Sequence, residues 1–314
     1  MQAAPFHNDI TKVSGSVEAF WLTAIDGVRL RIGVWPASYE GASKGTVFVF
    51  PGRTEYIEKY ARTVAHFSKA GFTTLAIDWR GQGLSDRLHH DRMLGHVEKF
   101  QDYQKDVAAM LEAATEMDLP KPWGLLTHSM GGCIGLRAVM DGSSFNAVAF
   151  SGPMWGIAIS PVLRPVAWGL STFGSKTGLD GIYAPSTSEK CYAVTEPFET
   201  NLLTRDRDGH RYLQSQLIER PELQLGGPGL KWLHEALKET LRLHRRVSPD
   251  IPCLVLLGRE EKIVDVDRIH NRVKRWNGCD LHVFKDARHE IFMEVPEDRD
   301  RAINLLVDFY SEMK

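Results

Sequence analysis

The segment Leu125-Leu126-Thr127-His128-Ser129-Met130-Gly131-Gly132 decides the fold. An apolar run, Trp123 to Leu126, leads into it, and Gly131-Gly132-Cys133-Ile134-Gly135 leads out into helix-like sequence. A strand, a sharp turn carrying one serine and then a helix is the layout of a nucleophile elbow. The usual spacing is G-x-S-x-G, and Thr127 stands at the first glycine, a mild departure at a position that needs a small residue. The serine of such a turn is held in a strained conformation, and a side chain at Gly131 would crowd it. The helix that follows aims its first N–H groups at the point where negative charge develops. A serine in an ordinary strand-to-helix turn has the same local look, so the rest of the chain has to decide.

Outward from this segment, strands alternate with helices. Phe20 to Thr23 and Arg29 to Trp35 read as strands joined at Asp26-Gly27. Thr46 to Phe50 reads as a buried strand ending at Pro51-Gly52-Arg53, and Tyr56 to Ala70 as a helix stopped by Gly71. Phe72 to Ile77 is the next strand, and Val97 to Met117 a long amphipathic helix. A strand over Ala147 to Phe150 follows the elbow helix. The rhythm then breaks, and resumes with strands at Cys253 to Leu257 and Leu281 to Phe284 and a closing helix at Asp298 to Met313. This pattern predicts an α/β fold, a mostly parallel sheet with helices on both faces. Its core is residues 1–153 and 250–314, with residues 154–249 as an inserted helical cap. Within the insertion, Ser160-Pro161 reads as an N-cap and first helical position. Val162, Leu163, Val166, Ala167, Leu170 and Phe173 then recur at helical spacing. Such a stripe is a packing face or the lining of an acyl pocket.

Composition narrows the function. A chain of 314 residues with 43% hydrophobic and 25% charged residues has room for one large core plus an insertion. A net charge of −2 provides no field for nucleic acid or anionic lipid. Cys133, Cys191, Cys253 and Cys279 are scattered without a C-x-x-C, which argues against a zinc site or a disulfide framework and suits a reducing, cytoplasmic compartment. Met1 to Thr11 lacks the pattern of a signal peptide, and no apolar run reaches the roughly 20 residues of a membrane span. Transient contact with a membrane surface stays open. Gly81-Gln82-Gly83 begins like a dinucleotide fingerprint, but Asp86 stands where the third glycine belongs. Neither His89-His90 nor His289-Glu290 has metal-pair spacing. No metal and no cofactor are expected.

A serine hydroxyl needs a general base, and the base needs an acid to fix its tautomer. In this kind of fold the order is serine, acid, histidine, the last two in loops after late strands. His289 follows the Leu281–Phe284 strand. The acid belongs in Gly258-Arg259-Glu260-Glu261-Lys262-Ile263-Val264-Asp265, where the turn selects Glu261 and leaves Glu260 and Asp265 as competitors. Two backbone N–H groups must hold the tetrahedral intermediate. Met130, directly after the serine, is one expected donor, and Arg53, after Gly52, the other.

Taken together, these pieces resemble the α/β-hydrolase superfamily. The resemblance rests on Asp78 to Ser85, Thr127 to Gly132, Gly258 to Asp265 and Ala287-Arg288-His289-Glu290. It is closest to the lysophospholipase L2 and monoacylglycerol lipase branch, through Phe50 to Tyr56, Asn201-Leu202-Leu203-Thr204 and Leu225-Gly226-Gly227-Pro228 to Trp232. Pro51 stands where monoacylglycerol lipases usually carry histidine, and Glu261 replaces the commoner aspartate. The resemblance implies a serine hydrolase that cleaves esters of single-chain lipids through an acyl-enzyme on Ser129. A general carboxylesterase and an aminopeptidase are the alternatives, the latter wanting an acidic cluster such as Glu196 and Glu199 to hold an α-amine. A non-catalytic relative would be expected to lack a triad member. A dehalogenase or epoxide hydrolase would want aspartate at Ser129.

Overall fold

Nine strands, β1 (Gln2–Ala3), β2 (Glu18–Thr23), β3 (Arg29–Trp35), β4 (Thr46–Phe50), β5 (Thr73–Asp78), β6 (Trp123–His128), β7 (Ala147–Ser151), β8 (Cys253–Gly258) and β9 (Cys279–Phe284), form one sheet in the computed structural model. The structure describes residues 1–314 apart from Ser14, Tyr39, Glu40, Pro161, Thr177, Leu179 and Asp180, with Ser175 and Lys176 described by backbone alone. The spatial order is β1-β2-β3-β5-β4-β6-β7-β8-β9. From β5 to β9 every neighbouring pair is parallel, while β1 to β3 pair antiparallel and β3 joins β5 antiparallel.

The register explains the unbroken apolar runs. Every residue of β4, β5, β6, β7 and β8 is buried. Alternate side chains serve opposite faces. Phe48, Phe50, Leu125 and Phe150 point to the layer holding the helices Tyr103–Glu116 and Met130–Met140. Val47, Val49, Leu126 and Ala149 point to the layer holding Ala61–Lys69 and Pro296–Ser311. A sheet covered on both faces has no polar side, so its strands read as continuous hydrophobic runs.

Two helices start several residues later than the sequence expectation, and the closing helix, Pro296–Ser311, lies two residues earlier at each end. The segment from Tyr56 divides into a 3-10 turn, Ile57–Tyr60, and a helix, Ala61–Lys69. The helix expected from Val97 starts at Tyr103, after a 3-10 turn over Phe100–Asp102. There the Asp102 carboxylate accepts the Lys99 N–H at 3.1 Å and caps the start.

Between β7 and β8 the chain adds no strand to the sheet among the described residues. It forms the helices Arg164–Lys176, Arg207–Glu219 and Leu230–Arg245 and a short turn, Tyr192–Thr195. Trp232 ties this segment to the core, its indole N–H 3.3 Å from the Tyr103 hydroxyl. The apolar stripe neither packs inward nor lines a pocket. Val162 is 84% exposed, Leu163 58% and Phe173 61%, with Val166 and Leu170 exposed as well. The helix rests instead on a different edge. Trp168 packs beside Leu230 and Leu233, Ser171 is buried, and a Cβ at Gly174 would meet Leu230 Cδ1 at 2.6 Å. Small residues let the helices approach closely, so the larger apolar side chains were left facing outward. The Ser160 hydroxyl accepts the Leu163 N–H at 3.4 Å, while the expected first helical position, Pro161, lies outside the described residues.

Candidate active site

Ser129 sits between β6 and the helix Met130–Met140 with φ 49° and ψ −116°. Neighbouring backbone over-determines this conformation. Its N–H donates to Ser151 O at 3.1 Å, and its carbonyl accepts from Gly132 and Met154 N–H, both at 2.8 Å. The glycines that follow are required by contact. A Cβ at Gly131 would stand 2.0 Å from Phe50 O, and one at Gly132 2.6 Å from Pro153 Cβ. Thr127 is accommodated from the helix side, because a Cβ at Gly135 would meet its Cγ2 at 2.7 Å. The space that the usual first glycine provides is thus recovered at Gly135.

Glu261 and His289 come together. His289 Nδ1 lies 2.6 Å from Glu261 Oε2, and both side chains are buried. The other carboxylate oxygen accepts the N–H groups of Ile263 at 2.7 Å and Val264 at 3.2 Å. Burial works against the charged carboxyl, but His289 and those two N–H groups outweigh it and hold the Glu261 pKa below its ordinary range. Gly152, at φ +48°, leaves room for the pair, since a Cβ there would stand 3.2 Å from His289 Nδ1 and 3.3 Å from Glu261 Oε2. The competing acids are elsewhere. Glu260 is exposed. Asp265 caps the helix Val266–Val273, accepting the Arg268 N–H at 3.2 Å, and pairs with Arg164 at 3.1 Å.

Of the two expected oxyanion donors, Met130 directly follows Ser129 and Arg53 follows Gly52, which packs against the serine. Met130 is the first residue of its helix, where an N–H has no intrahelical acceptor. In the loop after β4 the Gly52 N–H is taken by Glu55 Oε2 at 2.5 Å, so the next N–H of the loop is that of Arg53. No side chain fits at Gly52, where a Cβ would lie 2.7 Å from Glu55 Oε1 and 3.1 Å from Ser129 Cβ. The loop is braced from below by Trp79, whose indole donates to Pro51 O at 2.9 Å, and by Gln82, whose amide donates to Gly52 O at 2.8 Å. The Gly81-Gln82-Gly83 turn is therefore a support for this loop.

Ser129, Met130, Arg53 and His289 line one cavity of about 540 Å³. Apolar side chains dominate its walls, among them Met154, Ile157, Tyr192, Leu202, Leu213, Leu217, Trp232 and Leu233. Glu196 lines it too; Glu199 is exposed and pairs with Arg207 at 3.2 Å.

Beneath the site lies a charged cluster that the sequence reading did not identify. Lys59 Nζ stands 2.7 Å from Glu55 Oε1 and 2.7 Å from both oxygens of Glu290. His128 Nε2 is 3.3 Å from each of the two carboxylates, without good hydrogen-bond alignment, and its ring centroid is 4.8 Å from that of His289. Burial opposes charge on all of them. Glu290 and Glu55 nonetheless raise the pKa of Lys59 and of His128, and His128 and Lys59 hold Glu290 well below the usual carboxylate range. Glu55, His128 and Glu290 bring three ligand atoms within 4.8 Å of one another, a spacing that suits a cation. The Lys59 ammonium already fills that role. The local signals were Glu55 and Lys59 at i, i+4 and a histidine next to Ser129; Glu290 is distant in sequence.

Lys59→Met is expected to cost about 3–5 kcal/mol, because it leaves two buried carboxylates facing a single imidazole. Urea unfolding measures this, and adding Glu290→Gln is expected to restore part of the loss. A cost below about 1 kcal/mol would show that the four groups do not act as a unit.

A family model described as serine aminopeptidase, S33, matches residues 41–296. Lysophospholipase L2 of Escherichia coli strain K12 is 30% identical over 323 residues, covering 95% of this chain and 90% of that protein. Monoglyceride lipase of Saccharomyces cerevisiae is 25% identical, covering 90% and 89%. Among solved structures, a soluble variant of the S. cerevisiae monoglyceride lipase in complex with a substrate analog superposes with a TM-score of 0.74 at 18% identity, covering 98% of each chain. The Paleococcus ferrophilus monoacylglycerol lipase gives 0.70 at 19%, covering 90% of this chain and 98% of its own. At such identities the structural likeness is one of fold. With its sheet order, elbow turn and sequence relatives, the chain belongs to the α/β-hydrolase superfamily, in the branch of lysophospholipase L2 and the monoglyceride lipases, and is a serine ester hydrolase.

Proposed function

We propose that the protein hydrolyses the carboxylic ester of single-chain lipids, lysophospholipids or monoacylglycerols, with residues 154–249 acting as a cap over the acyl chain. The observation that carries this reading is the cavity. Its volume of about 540 Å³ lies in the range of about 300–1,000 Å³ usual for small-molecule sites. Its walls are mostly apolar, and Ser129 and His289 both open into it.

In this reading Ser129 Oγ attacks the ester carbonyl while His289 Nε2 takes its proton, and Glu261 stabilises the imidazolium through Nδ1. The carbonyl π pair moves onto oxygen, which the Arg53 and Met130 N–H groups receive. Collapse breaks the ester C–O bond, and His289 returns its proton to the departing alkoxide. Water, deprotonated by His289, then releases the fatty acid and restores the serine.

The aminopeptidase reading has less support. Glu196 stands at the cavity without Glu199, and the Arg53 guanidinium lines the same space, where it would repel an α-ammonium. The exposed stripe of Val162, Leu163, Val166, Leu170 and Phe173 supports transient contact between the cap and a lipid surface. Among the described residues no helix is long and apolar enough to cross a membrane. Four free cysteines suit a reducing compartment, and we place the enzyme in the cytoplasm.

An acyl-length series tests the reading. Each buried methylene adds roughly 0.8 kcal/mol, up to about fourfold in kcat/KM. The specificity constant is expected to climb from butyryl to long-chain monoesters and then level off. A flat or falling series would make the protein a general carboxylesterase.

A further inference from the structure

Buried arginines elsewhere in this chain are well supplied with acceptors. Arg31 faces Glu58 and Asp78, and Arg80 faces Asp26 and Asp106. Arg272 reaches the carbonyls of Arg246 and Leu243 and the Ser248 hydroxyl. Arg53 differs. Its guanidinium donates once, to Gly226 O at 2.7 Å, and stands 5.8 Å from the centre of the Trp232 ring. Among the described residues no carboxylate lies within ion-pairing distance of it. Arg53 is half-buried and lines the cavity, and a guanidinium has five N–H donors in a fixed fork, so the donors not taken by Gly226 are open to an acceptor there. Burial lowers its pKa to about 10, which leaves it charged at neutral pH. Of the other cations on the cavity wall, Lys59 is neutralised by Glu55 and Glu290, and Lys190 is exposed.

A charged fork held in a mostly apolar cavity without a counter-ion is a binding group for an anion with several oxygens. Its position says which anion. Arg53 follows Gly52, which packs against Ser129, and its side chain extends to the Gly226 carbonyl, next to Thr187 and Ser188 on the cavity wall. The arginine stem is about as long as the glycerol chain between the scissile carbonyl of a lysophospholipid and its phosphate. A monoacylglycerol has a hydroxyl at that place and leaves the guanidinium unanswered.

We infer that the Arg53 side chain reads the head-group phosphodiester of a lysophospholipid. One residue then serves both ends of the substrate, with its backbone N–H at the oxyanion and its guanidinium at the phosphate. This rests on the lipid-ester reading and narrows it: lysophospholipids are the preferred substrates, and monoacylglycerols the secondary ones.

The test compares wild type, Arg53→Lys and Arg53→Gln on palmitoyl lysophosphatidylethanolamine, palmitoyl monoacylglycerol and p-nitrophenyl butyrate. The ratio of kcat/KM for the lysophospholipid over the monoacylglycerol is expected to fall roughly ten- to a hundredfold in Arg53→Gln, mainly through KM, with Arg53→Lys between. Glycerophosphoethanolamine is expected to inhibit wild-type p-nitrophenyl butyrate hydrolysis competitively, more strongly than glycerol or inorganic phosphate. If Arg53→Gln does not fold, the ratio in Arg53→Lys decides, and a diester that does not inhibit the wild type overturns the inference. An unchanged ratio, with the lysophospholipid still cleaved, overturns the assignment of Arg53 alone. So does inhibition by inorganic phosphate as strong as that by the diester, which would mark a free-phosphate site. A wild type that cleaves p-nitrophenyl butyrate and neither lipid overturns the lipid reading, and this inference with it.

Discussion

Ser129→Ala is expected to lower ester hydrolysis by about 10⁴-fold or more while leaving the fold intact. The two halves of this expectation have separate causes. In the proposed reading the Ser129 hydroxyl is the attacking group, and alanine has no group to replace it. The conformation of residue 129 is set by backbone bonds to Ser151, Gly132 and Met154, and alanine keeps all of them. The Cβ, which bears the strain of φ 49°, is also retained. Thermal unfolding of the variant is therefore expected to follow the wild type closely. A fluorophosphonate probe gives a second readout by intact mass, with one adduct on the wild type and none on Ser129→Ala. An adduct that persists in the variant would move the nucleophile to another serine.

What could be read from the sequence follows from where the determinants lie along it. The runs Thr46–Phe50, Trp123–His128 and Cys253–Gly258 are buried on both faces, so local apolar content was enough to find the strands. Ser129 and Glu261 follow such strands and His289 follows the half-exposed edge strand β9, so the strand order puts all three at one end of the sheet. β1 gave no signal, being two exposed residues that pair with β2. The Val162–Phe173 stripe misled for a different reason. Periodicity identifies a face but not what the face meets, and here Trp168, Ser171 and Gly174 make the contact. The Lys59 cluster was illegible because Glu55 and Glu290 are 235 positions apart by numbering, and charged residues that far apart read as solvated until the fold brings them together. Arg53 was singled out for its backbone N–H; that its guanidinium has no counter-charge among the described residues is a property of everything around it.

The choice of acid partner for His289 is where the geometry discriminates most sharply. Glu261→Gln is expected to lower kcat by about 10²–10⁴-fold, and His289→Ala by at least as much, since the amide keeps the shape but supplies no charge for the imidazolium. Asp265→Asn is expected to remain within a few-fold of wild-type activity. Its carboxylate serves as a helix cap and a partner of Arg164; asparagine keeps the cap and gives up the ion pair, so the cost in stability is about 1 kcal/mol or less. Stability as a function of pH separates the two roles again. The Glu261 pKa is depressed in the folded state, so the carboxylate stabilises the protein above its ordinary value near 4.5, and this contribution is lost as pH falls through the lowered folded value. Glu261→Gln is expected to remove that part of the acid limb of an unfolding curve. If instead Asp265→Asn abolishes turnover and Glu261→Gln does not, the acid is Asp265, and the 2.6 Å contact between Glu261 and His289 is a structural bond only.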